Sequence, residues 1–525
     1  MNPGEGVVSG GRPPLRRSRD YLCVAVAAAG LWASFPGTDW WWLTVPSLAV
    51  LVALVDRVGA GRASWYAALV ASGFWLGHIE WVRVATGGWL PWVALAATQV
   101  VPVAAWAWTV SVARVWRWTR PAWGQAVLFA LTWTGFEQLR SRVPFGGFPW
   151  ANIAYTQVDA PLGRLAPWGG EVLVSFLVMV CAVLLRRAFS LSPAHDAPQW
   201  WARPAGLAVA LALLAAPLAI DLPTQQEAGS LRVGVVQGDV EIPGDQTYQI
   251  VGKVTGNNAR VTRELAESGR AVDLVVWGED SVDKDPRTNA LTSQLVADAV
   301  EEVGVPTIVG WQEIHQTTRE NWIGVWEPGS GLREGFYGKQ HPVPFGEYIP
   351  WRSFVSHLAT EAARVNVDMV AVDNPSLLEV PSVDGRSIPM TVGICFEVAY
   401  EPLLSEGVRA GGQIIVIPTN NYHFQYSAES DQQAQMLRFR AMEFSRSAIQ
   451  ASTNGTSLIV RPDGSVIAES GKQVATFLTG EVPLRTSLTL AARMGDFPDW
   501  LVIVLTVALA VGSGGASIAL GRRSA

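Results

Sequence analysis

Two hydrophobic patterns divide the chain. Long apolar runs rich in Ala, Val, Leu and Trp fill residues 21–222, whereas residues 223–497 alternate short apolar runs with amphipathic stretches. An apolar run of about twenty residues spans a bilayer core, and alternating strands and helices are typical of a layered α/β fold. The pattern therefore predicts an α-helical membrane bundle followed by a globular α/β domain. A last apolar run at 498–520 predicts one further span.

The apolar runs predict about eight membrane spans. These lie at 21–37, 40–56, 65–84, 89–113, 122–138, 169–188, 203–222 and 498–520. A cleaved signal peptide is the alternative for the first run, but the apolar sequence leads straight into the next run, which favours an uncleaved span. The predicted divisions are a basic N-terminal segment at 1–20, a membrane domain at 21–222, a globular domain at 223–497, and a last span with a basic tail at 498–525.

Arginine positions predict the orientation of these spans. With the N-terminus in the cytoplasm, fourteen arginines fall on the cytoplasmic side: Arg12, Arg16, Arg17, Arg19, Arg57, Arg62, Arg114, Arg117, Arg120, Arg186, Arg187, Arg203, Arg522 and Arg523. Four fall in the short outer loops: Arg83, Arg140, Arg142 and Arg164. Because cytoplasmic loops are enriched in Lys and Arg, this asymmetry predicts a multi-pass membrane protein with residues 223–497 outside the cytoplasm.

Composition argues against several classes of site. The formal net charge of −6 gives no general basis for nucleic-acid binding. The six histidines are scattered without an H-x-H or H-E-x-x-H pattern, so no metal site is predicted. Cys23, Cys181 and Cys395 lie in separate segments, which argues against a disulfide framework. The sequence therefore predicts no metal and no cofactor.

Cys395 lies at a predicted strand-to-helix turn. Apolar and β-branched residues from Ile388 to Ile394 predict a buried strand, and Pro402 is typical of the first turn of a helix. A helix N-terminus favours the thiolate, which is the nucleophilic form of cysteine. The alternative is a core cysteine, because free cysteines are among the most buried residues.

Two further stretches favour a catalytic thiol. The segment DLVVWGEDS at 273–281 predicts a strand that runs into Glu279, and FYGKQHPVPFGEYIP at 336–350 carries Lys339 and Glu347. A base such as Glu279 raises the reactive fraction of a thiol, and a cation such as Lys339 stabilises a developing oxyanion. Together with Cys395, these residues form a candidate set for acyl transfer through a thioester.

The order and spacing of these residues resemble the nitrilase superfamily. Lys339 follows Glu279 by 60 residues, and Cys395 follows Lys339 by 56. The string K-x-H-x-V-P-F-G-E-Y-x-P around Lys339 is most similar to the membrane-bound apolipoprotein N-acyltransferase family. The resemblance implies an α-β-β-α sandwich and a Glu279, Lys339 and Cys395 catalytic triad. The supporting residues that it implies are Glu347, Glu397 and Asn321; for the two glutamates, surface carboxylates are the alternative.

The resemblance also implies a reaction. In the family, the thiol takes a fatty acyl chain from a membrane phospholipid and passes it to the N-terminal amine of a diacylglyceryl-cysteine lipoprotein. A phospholipid donor, a diacylated apolipoprotein acceptor and the bacterial cell (inner) membrane are then the expected partners. One alternative is a membrane-tethered nitrilase-type amidase that uses water as acceptor, which leaves the spans unexplained. Another is a transporter or scaffold with an inactive enzyme domain, which leaves the intact triad unexplained.

Departures from the family leave the substrate preference open. Gly278 and Phe396 stand where many relatives have Pro and Tyr, while the triad is intact. The aromatic, glycine-rich loop Arg142–Tyr155 either admits lipid at the outer face, as the resemblance implies, or packs against the globular domain. For Trp322 and Tyr248, the interpretations are contact with lipid or with a loop, and core packing, of which core packing is favoured.

Ionisable residues within the predicted spans are further candidates. His78, Glu80 and Glu137 are candidates for a functional role. For Glu80 and for Glu137, which lies near the end of its span, the alternative is a side chain that simply reaches water. In the globular domain, the pattern near 428–449 predicts a long helix, and residues 332–339 predict the second strand of a pair.

Overall fold

The computed structural model describes residues 14–189, 202–241, 244–358, 360–382 and 385–524. The basic segment before residue 14 lies outside the described residues. Helices of the N-terminal helical part are α1 Pro14–Ala33, α2 Thr44–Asp56, α3 Ala60–His78, α4 Trp81–Thr86, α5 Trp89–Val112, α6 Ala122–Arg140, α7 Ala166–Ala188 and α8 Ala202–Ala215. Gly169 and Gly170 have non-helical backbone angles, so α7 is broken near its start.

Helices lie at the positions of the predicted spans, but not all have the composition of a span. Within the described residues, three stretches are long and apolar enough to cross a bilayer: Trp89–Val115, Pro161–Ala188 and Phe497–Ser517. Trp41–Asp56 and Pro204–Ala219 are apolar but shorter. Charged residues such as Arg19 in α1 and Glu137 in α6 lower the hydropathy of other helices. The structure thus supports a helical membrane part with three clear candidate spans.

The sandwich domain contains two β-sheets. The first has the order β14-β1-β2-β3-β4-β5, with β6 and β7 also paired to β4, and the second has the order β13-β12-β11-β10-β9-β8. The strands of the first sheet are β1 Ser230–Gln237, β2 Leu274–Val276, β3 Thr307–Ile314, β4 Thr318–Glu327, β5 Gly331–Leu332, β6 Tyr337–Gly338, β7 Asp368–Met369 and β14 Thr476–Pro483. Those of the second are β8 Leu377–Pro381, β9 Ser387–Val392, β10 Ile414–Thr419, β11 Ser447–Ser452, β12 Leu458–Val460 and β13 Val466–Glu469.

Helices cover the outer faces of both sheets. The later helices are α9 Gly244–Tyr248, α10 Lys253–Glu267, α11 Ala290–Val303, α12 Arg352–Leu358, α13 Glu401–Arg409, α14 Glu429–Phe444, α15 Leu490–Met494 and α16 Phe497–Ser524. Burial of apolar side chains drives this layering. Leu265 of α10 and Val296 of α11 pack on the first sheet. Leu437 of α14 packs on the second sheet and belongs to an apolar cluster that extends into the helical part.

Between the sheets, apolar side chains such as Val235 of β1 and Val416 of β10 share one core. The layers are therefore helices, sheet, sheet and helices, which confirms the expected α-β-β-α sandwich. The fourth layer is enclosed on its other side by α7, because α14 packs against that helix. One face of the sandwich domain is therefore continuous with the helical part.

The predicted helix at 428–449 was wrong at its C-terminal end. Helix α14 ends at Phe444, Ser445 adopts the left-handed conformation (φ 50°), and residues 447–452 form β11. Every residue of β11 is buried, and the strand pairs in parallel with β10. Parallel pairing and burial outweigh the local helical pattern. The expected strand at 332–339 is likewise two short strands, β5 and β6, rather than one.

Candidate active site

Cys395 begins the sharp turn that follows β9. Residues Cys395–Ala399 form one 3₁₀ turn, and α13 starts at Glu401. Cys395 itself has φ 56°, in the left-handed region that a side chain other than glycine occupies only at a cost. The thiol is half-buried. This segment, called the nucleophile turn below, presents the sulfur at the carboxyl end of a buried strand.

Glu279 lies just beyond β2, and both of its carboxylate oxygens are held. Asn321 Nδ2 donates to Oε1 at 2.6 Å, Lys339 Nζ lies 3.2 Å from the same oxygen, and the backbone N–H of Asn420 donates to Oε2 at 2.9 Å. The preceding residue, Gly278, is tightly enclosed: an added Cβ would lie 3.0 Å from the carbonyl oxygen of Thr419. Glu279 is thus rigidly placed at the end of its strand.

Lys339 is completely buried between two carboxylates. Its Nζ donates to Glu347 Oε1 at 2.6 Å as well as to Glu279, and its backbone N–H donates to the Asn321 carbonyl at 2.8 Å. Glu347 is fixed in turn, because the N–H of Val343 donates to its Oε2 at 2.7 Å. A buried ammonium is tolerated only with such compensation.

Glu397 connects the nucleophile turn to the segment that carries Lys339. Its Oε2 accepts hydrogen bonds from the N–H of Ile394 at 2.6 Å and from the Tyr337 hydroxyl at 2.9 Å. Its Oε1 accepts from the N–H groups of Gln340 at 2.7 Å and His341 at 2.9 Å. Neither Glu347 nor Glu397 is therefore a surface carboxylate. Four donors to one buried carboxylate fix the relative position of the two segments.

The electrostatics of the site keep the thiol protonated at rest. Burial raises the pKa of Cys395 well above its usual value, the negative Glu279 adds to this rise, and Lys339 opposes it. Burial also raises the pKa of Glu279 to about 7, against the opposing charge of Lys339. For Lys339, burial lowers the pKa, but Glu279 and Glu347 outweigh it and raise the pKa well above its usual range. The site therefore contains a neutral thiol, a carboxyl group whose pKa is near 7, and an ammonium group that stays charged.

The structure brings together Glu279, Lys339, Cys395, Glu347, Glu397 and Asn321. Sequence reasoning missed Asn420 and Asp280 beside them. Asn420 donates its backbone N–H to Glu279, and its side chain reaches Asp280 Oδ2 at 3.2 Å. Asp280 follows Glu279 directly, which was an available signal, whereas a backbone donor such as Asn420 leaves no mark in the sequence.

Tyr248 and Trp322 are placed differently. The Tyr248 hydroxyl accepts from Asn420 Nδ2 at 3.0 Å and donates to the Asp280 carbonyl at 3.3 Å. Tyr248 therefore binds the two residues that lie beside Glu279. Trp322 packs edge-on to Phe336 in the core around the first sheet, which confirms the packing interpretation.

The loop Arg142–Tyr155 packs against the nucleophile turn. The rings of Phe148 and Trp150 stack on Phe396, with centroids 6.0 and 5.6 Å away. Trp150 Nε1 donates to Gln432 Oε1 of α14 at 2.7 Å. The packing interpretation of this loop is therefore correct for these residues. Phe396, at one of the two departures from the family, contacts the helical part directly.

The ionisable residues within the predicted spans have separate surroundings. His78 is buried against Phe35 and Phe74, and its carbonyl accepts from Gln432 Nε2 at 3.0 Å. Glu80 is exposed and pairs with Arg83. Glu137 is buried, and its Oε1 accepts from the N–H of Ile153 at 2.9 Å. His78 and Glu137 thus bind structural partners, and Glu80 reaches the surface.

Comparisons with known proteins cover both parts of the chain. The apolipoprotein N-acyltransferase N-terminal domain model matches residues 27–184, and the carbon-nitrogen hydrolase model matches residues 197–490. The apolipoprotein N-acyltransferase of Mycolicibacterium smegmatis is 31% identical over 93% of this chain and 84% of its own length. The chain belongs to the apolipoprotein N-acyltransferase family.

Further relatives and solved structures are similar to the chain. The apolipoprotein N-acyltransferase of Pseudomonas putida is 30% identical over 94% of this chain and 96% of its own length. Among solved structures, an amidase from Nesterenkonia sp. is 15% identical and covers 50% of this chain and 94% of its own, with a TM-score of 0.36. In this chain of the apolipoprotein N-acyltransferase family, Glu279, Lys339 and Cys395 all lie in the part that matches the carbon-nitrogen hydrolase model.

Proposed function

We propose that this protein moves a fatty acyl chain from a membrane phospholipid, through a thioester on Cys395, to the N-terminal amine of a diacylglyceryl-cysteine lipoprotein. The observation that carries the proposal is the position of the nucleophile turn. Polar triad residues flank it within the sandwich domain, while Phe396 of the same turn stacks on Phe148 and Trp150 of the helical part. A thiol placed between a hydrolase-type site and membrane helices suits two substrates that are both lipids.

In the first step, Cys395 attacks the ester carbonyl of the phospholipid. The resting thiol is neutral, so Glu279 takes its proton as the C–S bond forms. Lys339 stabilises the negative charge on the carbonyl oxygen. When the ester C–O bond breaks, Glu279 passes the proton to the leaving oxygen, and a lysophospholipid departs. Asn321 and Asn420 hold the carboxylate of Glu279 in place through both of its oxygens.

In the second step, the neutral α-amino group of the lipoprotein attacks the thioester. Glu279 accepts a proton from the attacking nitrogen and returns it to the sulfur as the C–S bond breaks. Lys339 stabilises the same oxyanion position a second time. Glu347 holds the Lys339 ammonium in position, and Glu397 fixes the turn relative to Lys339 by accepting the N–H groups of Gln340 and His341. The enzyme returns to its starting state, and an amide has formed.

The membrane arrangement belongs to the same proposal. About eight spans, with the sandwich domain outside the cytoplasm of a bacterial cell, place the thiol at the outer leaflet, where a lipoprotein amine is accessible. A reporter fused within Gly229–Ser230 is expected to be extracytoplasmic, and one fused after Arg523 cytoplasmic. The opposite pattern would contradict the proposed orientation.

Intact-mass measurement tests the chemistry. Purified protein in phospholipid nanodiscs is expected to gain one acyl mass on Cys395 and to transfer it when a diacylated lipopeptide is added. Cys395→Ala is expected to gain no such mass, whereas Cys181→Ala, which changes a buried cysteine of the helical part, is expected to match the parent. Peptide acylation by Cys395→Ala would disprove the thioester route. Release of free fatty acid without peptide acylation would favour the amidase-like alternative with water as acceptor.

A further inference from the structure

Arg440 of α14 is completely buried, and its donors are satisfied in an unusual way. Its Nε donates to the Val398 carbonyl at 3.1 Å, and its Nη2 donates to the Ala399 carbonyl at 2.9 Å. Its Nη1 donates to Glu443 Oε2 at 2.5 Å, and Nη2 pairs with Glu171. Burying a guanidinium group is costly. A buried guanidinium whose nitrogens all donate hydrogen bonds therefore indicates a position where its planar, forked shape is needed.

The partners of Arg440 come from two parts of the molecule. Val398 and Ala399 end the nucleophile turn, whereas Glu171 lies in α7, directly after the break at Gly169 and Gly170. Gly170 has φ 59°, and a Cβ at this position would lie 2.2 Å from Glu443 Oε1. Any side chain here would therefore displace a carboxylate that pairs with Arg440. The helical part is thus shaped to receive this charge cluster.

Tyr155 and Asn152 hold Glu171 in place. The Tyr155 hydroxyl donates to Glu171 Oε1 at 2.6 Å and accepts from Arg440 Nη2 at 3.1 Å, and Asn152 Nδ2 donates to the other oxygen of Glu171. Both residues are buried and belong to the loop that packs against the nucleophile turn. Arg440 is therefore bound to a fixed anchor in the helical part rather than to a mobile side chain.

The nucleophile turn is consequently held at both ends. At its start, Glu397 ties the turn to the Lys339 segment of the sandwich domain, because its carboxylate accepts from the Tyr337 hydroxyl and from the N–H groups of Gln340 and His341. At its end, Arg440 binds two carbonyls of the turn and, through its ion pair with Glu171 of α7, ties the turn to the helical part. Between these contacts Cys395 has φ 56°, a conformation that persists only where the surroundings impose it.

We propose that Arg440 is a positioning residue for acyl transfer, which sets the turn carrying Cys395 against the membrane helices through its contact with Glu171. The inference rests on the proposed role of Cys395 as acyl carrier. The membrane helices fix where a lipid ester can lie, whereas the sandwich domain fixes the position of the thiol. The helices and the sandwich domain must therefore be held in a fixed relative position. An error of about 1 Å in such a geometry costs about 100-fold in rate.

Arg440→Lys tests this role. A lysine keeps the positive charge beside Glu171 and Glu443, but its compact ammonium lacks the planar fork that binds both carbonyls and the carboxylates together. In single-turnover assays at varied phospholipid content, we expect the maximal rate of thioester formation to fall roughly 10- to 100-fold. The half-saturating phospholipid content should stay within about threefold, since donor binding is not altered.

Alkylation of Cys395 separates positioning from loss of structure. Iodoacetamide is small and needs no membrane-held geometry, and Glu279 and Lys339 are unchanged in the variant. The alkylation rate at the Cys395 peptide, and its pH profile, should therefore stay within about threefold of the parent. A partly unfolded enzyme would instead show a thiol that titrates like a free cysteine.

Arg438→Lys is the matched control. Arg438 lies on the same helix and pairs with Asp159, and it donates to the Gly464 carbonyl without touching the nucleophile turn. The Arg438→Lys variant is expected to keep the parental maximal rate of thioester formation. Glu171→Gln supplies a second variant: it should also slow thioester formation, and combining it with Arg440→Lys should add little, because both changes act through one contact.

Each outcome decides between the interpretations. A parental maximal rate in Arg440→Lys, an equal loss in Arg438→Lys, or an effect confined to the half-saturating phospholipid content would overturn the positioning role. Should Arg440→Lys fail to fold, a parental rate in Glu171→Gln would overturn it, and a slowed rate with intact alkylation would support it. A parent enzyme that forms no thioester at all would instead contradict the proposed function.

Discussion

The two sides of Cys395 are built in different ways. On the polar side, Glu279, Lys339 and Glu397 belong to the sandwich domain, and their charges are satisfied by one another and by nearby N–H groups. On the aromatic side, Phe396 stacks on two rings of the helical part. We therefore assign bond making to the polar side and the access of substrates to the aromatic side. Changes on the polar side should lower the rate of bond making, whereas changes on the aromatic side should alter access of lipid to an intact thiol.

The largest effect is expected on the polar side at Lys339. Lys339→Arg keeps the charge, but the guanidinium is planar and larger than the ammonium and cannot occupy the same fully buried point. Both Lys339→Arg and Lys339→Met should slow thioester formation about 100-fold or more, the usual cost of removing an oxyanion donor. Single-turnover acylation followed by intact mass measures this loss.

Lys472→Arg is the control for the Lys339 variants. Lys472 Nζ pairs with Asp431 at 2.6 Å and donates to the Ser427 carbonyl, so this second lysine is also in an ion pair, but its partners are not triad residues. Its replacement should leave acylation unchanged. More than roughly a tenth of parental activity in Lys339→Arg would reduce Lys339 to a structural partner of Glu347.

A smaller loss is expected for Glu397→Gln. A glutamine has a single oxygen acceptor. Its NH₂ group would face N–H groups that now donate to the carboxylate, so donors would face donors. Buried donors left unpaired cost about 1–3 kcal/mol of stability, and the turn should lose its register with Lys339. We expect acylation to fall roughly 10- to 50-fold, within the cost of a small misplacement, with a lower unfolding temperature. Glu406→Gln, an exposed change on α13, should alter neither measurement.

The pH profile of acylation should report Glu279. Burial raises the pKa of this carboxyl group to about 7. Only the ionised form acts as a base, so the rate of thioester formation should rise with pH, level off above about 7, and fall roughly tenfold per pH unit on the acid side. Asp280→Asn removes a neighbouring negative charge that also raises this pKa, so its midpoint should move to lower pH. An unchanged midpoint in Asp280→Asn, or equal shifts in the surface control Asp298→Asn, would assign the titration to another group.

Local patterns made the polar side predictable from the sequence. Glu279 and Cys395 each end an apolar run, and Lys339 lies within a long characteristic string, so the motifs and their spacing indicate the site. A layered α/β fold was predictable for the same reason, because its strands and helices follow their hydrophobic periods, whereas the sandwich arrangement was expected only from the resemblance to the family. The strand β11 was not, since the pairing partner that imposes it lies outside the local pattern.

Contacts between the two parts of the chain were beyond sequence reasoning. Arg440 looks like one more polar position on a helix, and nothing near it indicates that its partners are Glu171 and the carbonyls of the nucleophile turn. The loop around Trp150 was ambiguous for the same reason, because an aromatic loop suits both lipid and a protein surface. Such contacts depend on tertiary geometry rather than on residue type.

The smallest effect is expected on the aromatic side, at Phe396. The ring stacks on Phe148 and Trp150, and aromatic pairs contribute about 0.5–1.5 kcal/mol each beyond the area that they bury. Phe396→Ala should therefore raise the half-saturating phospholipid content roughly 3- to 10-fold, with a smaller change in the maximal rate of acylation. Phe396→Tyr keeps the ring and should stay within about threefold of the parent. Alkylation of Cys395 by iodoacetamide should be parental in both variants, because Glu279 and Lys339 are untouched. If Phe396→Ala instead lowered the maximal rate as strongly as Lys339→Met, the two sides of Cys395 would not be separable, and the aromatic side would take part in the chemistry itself.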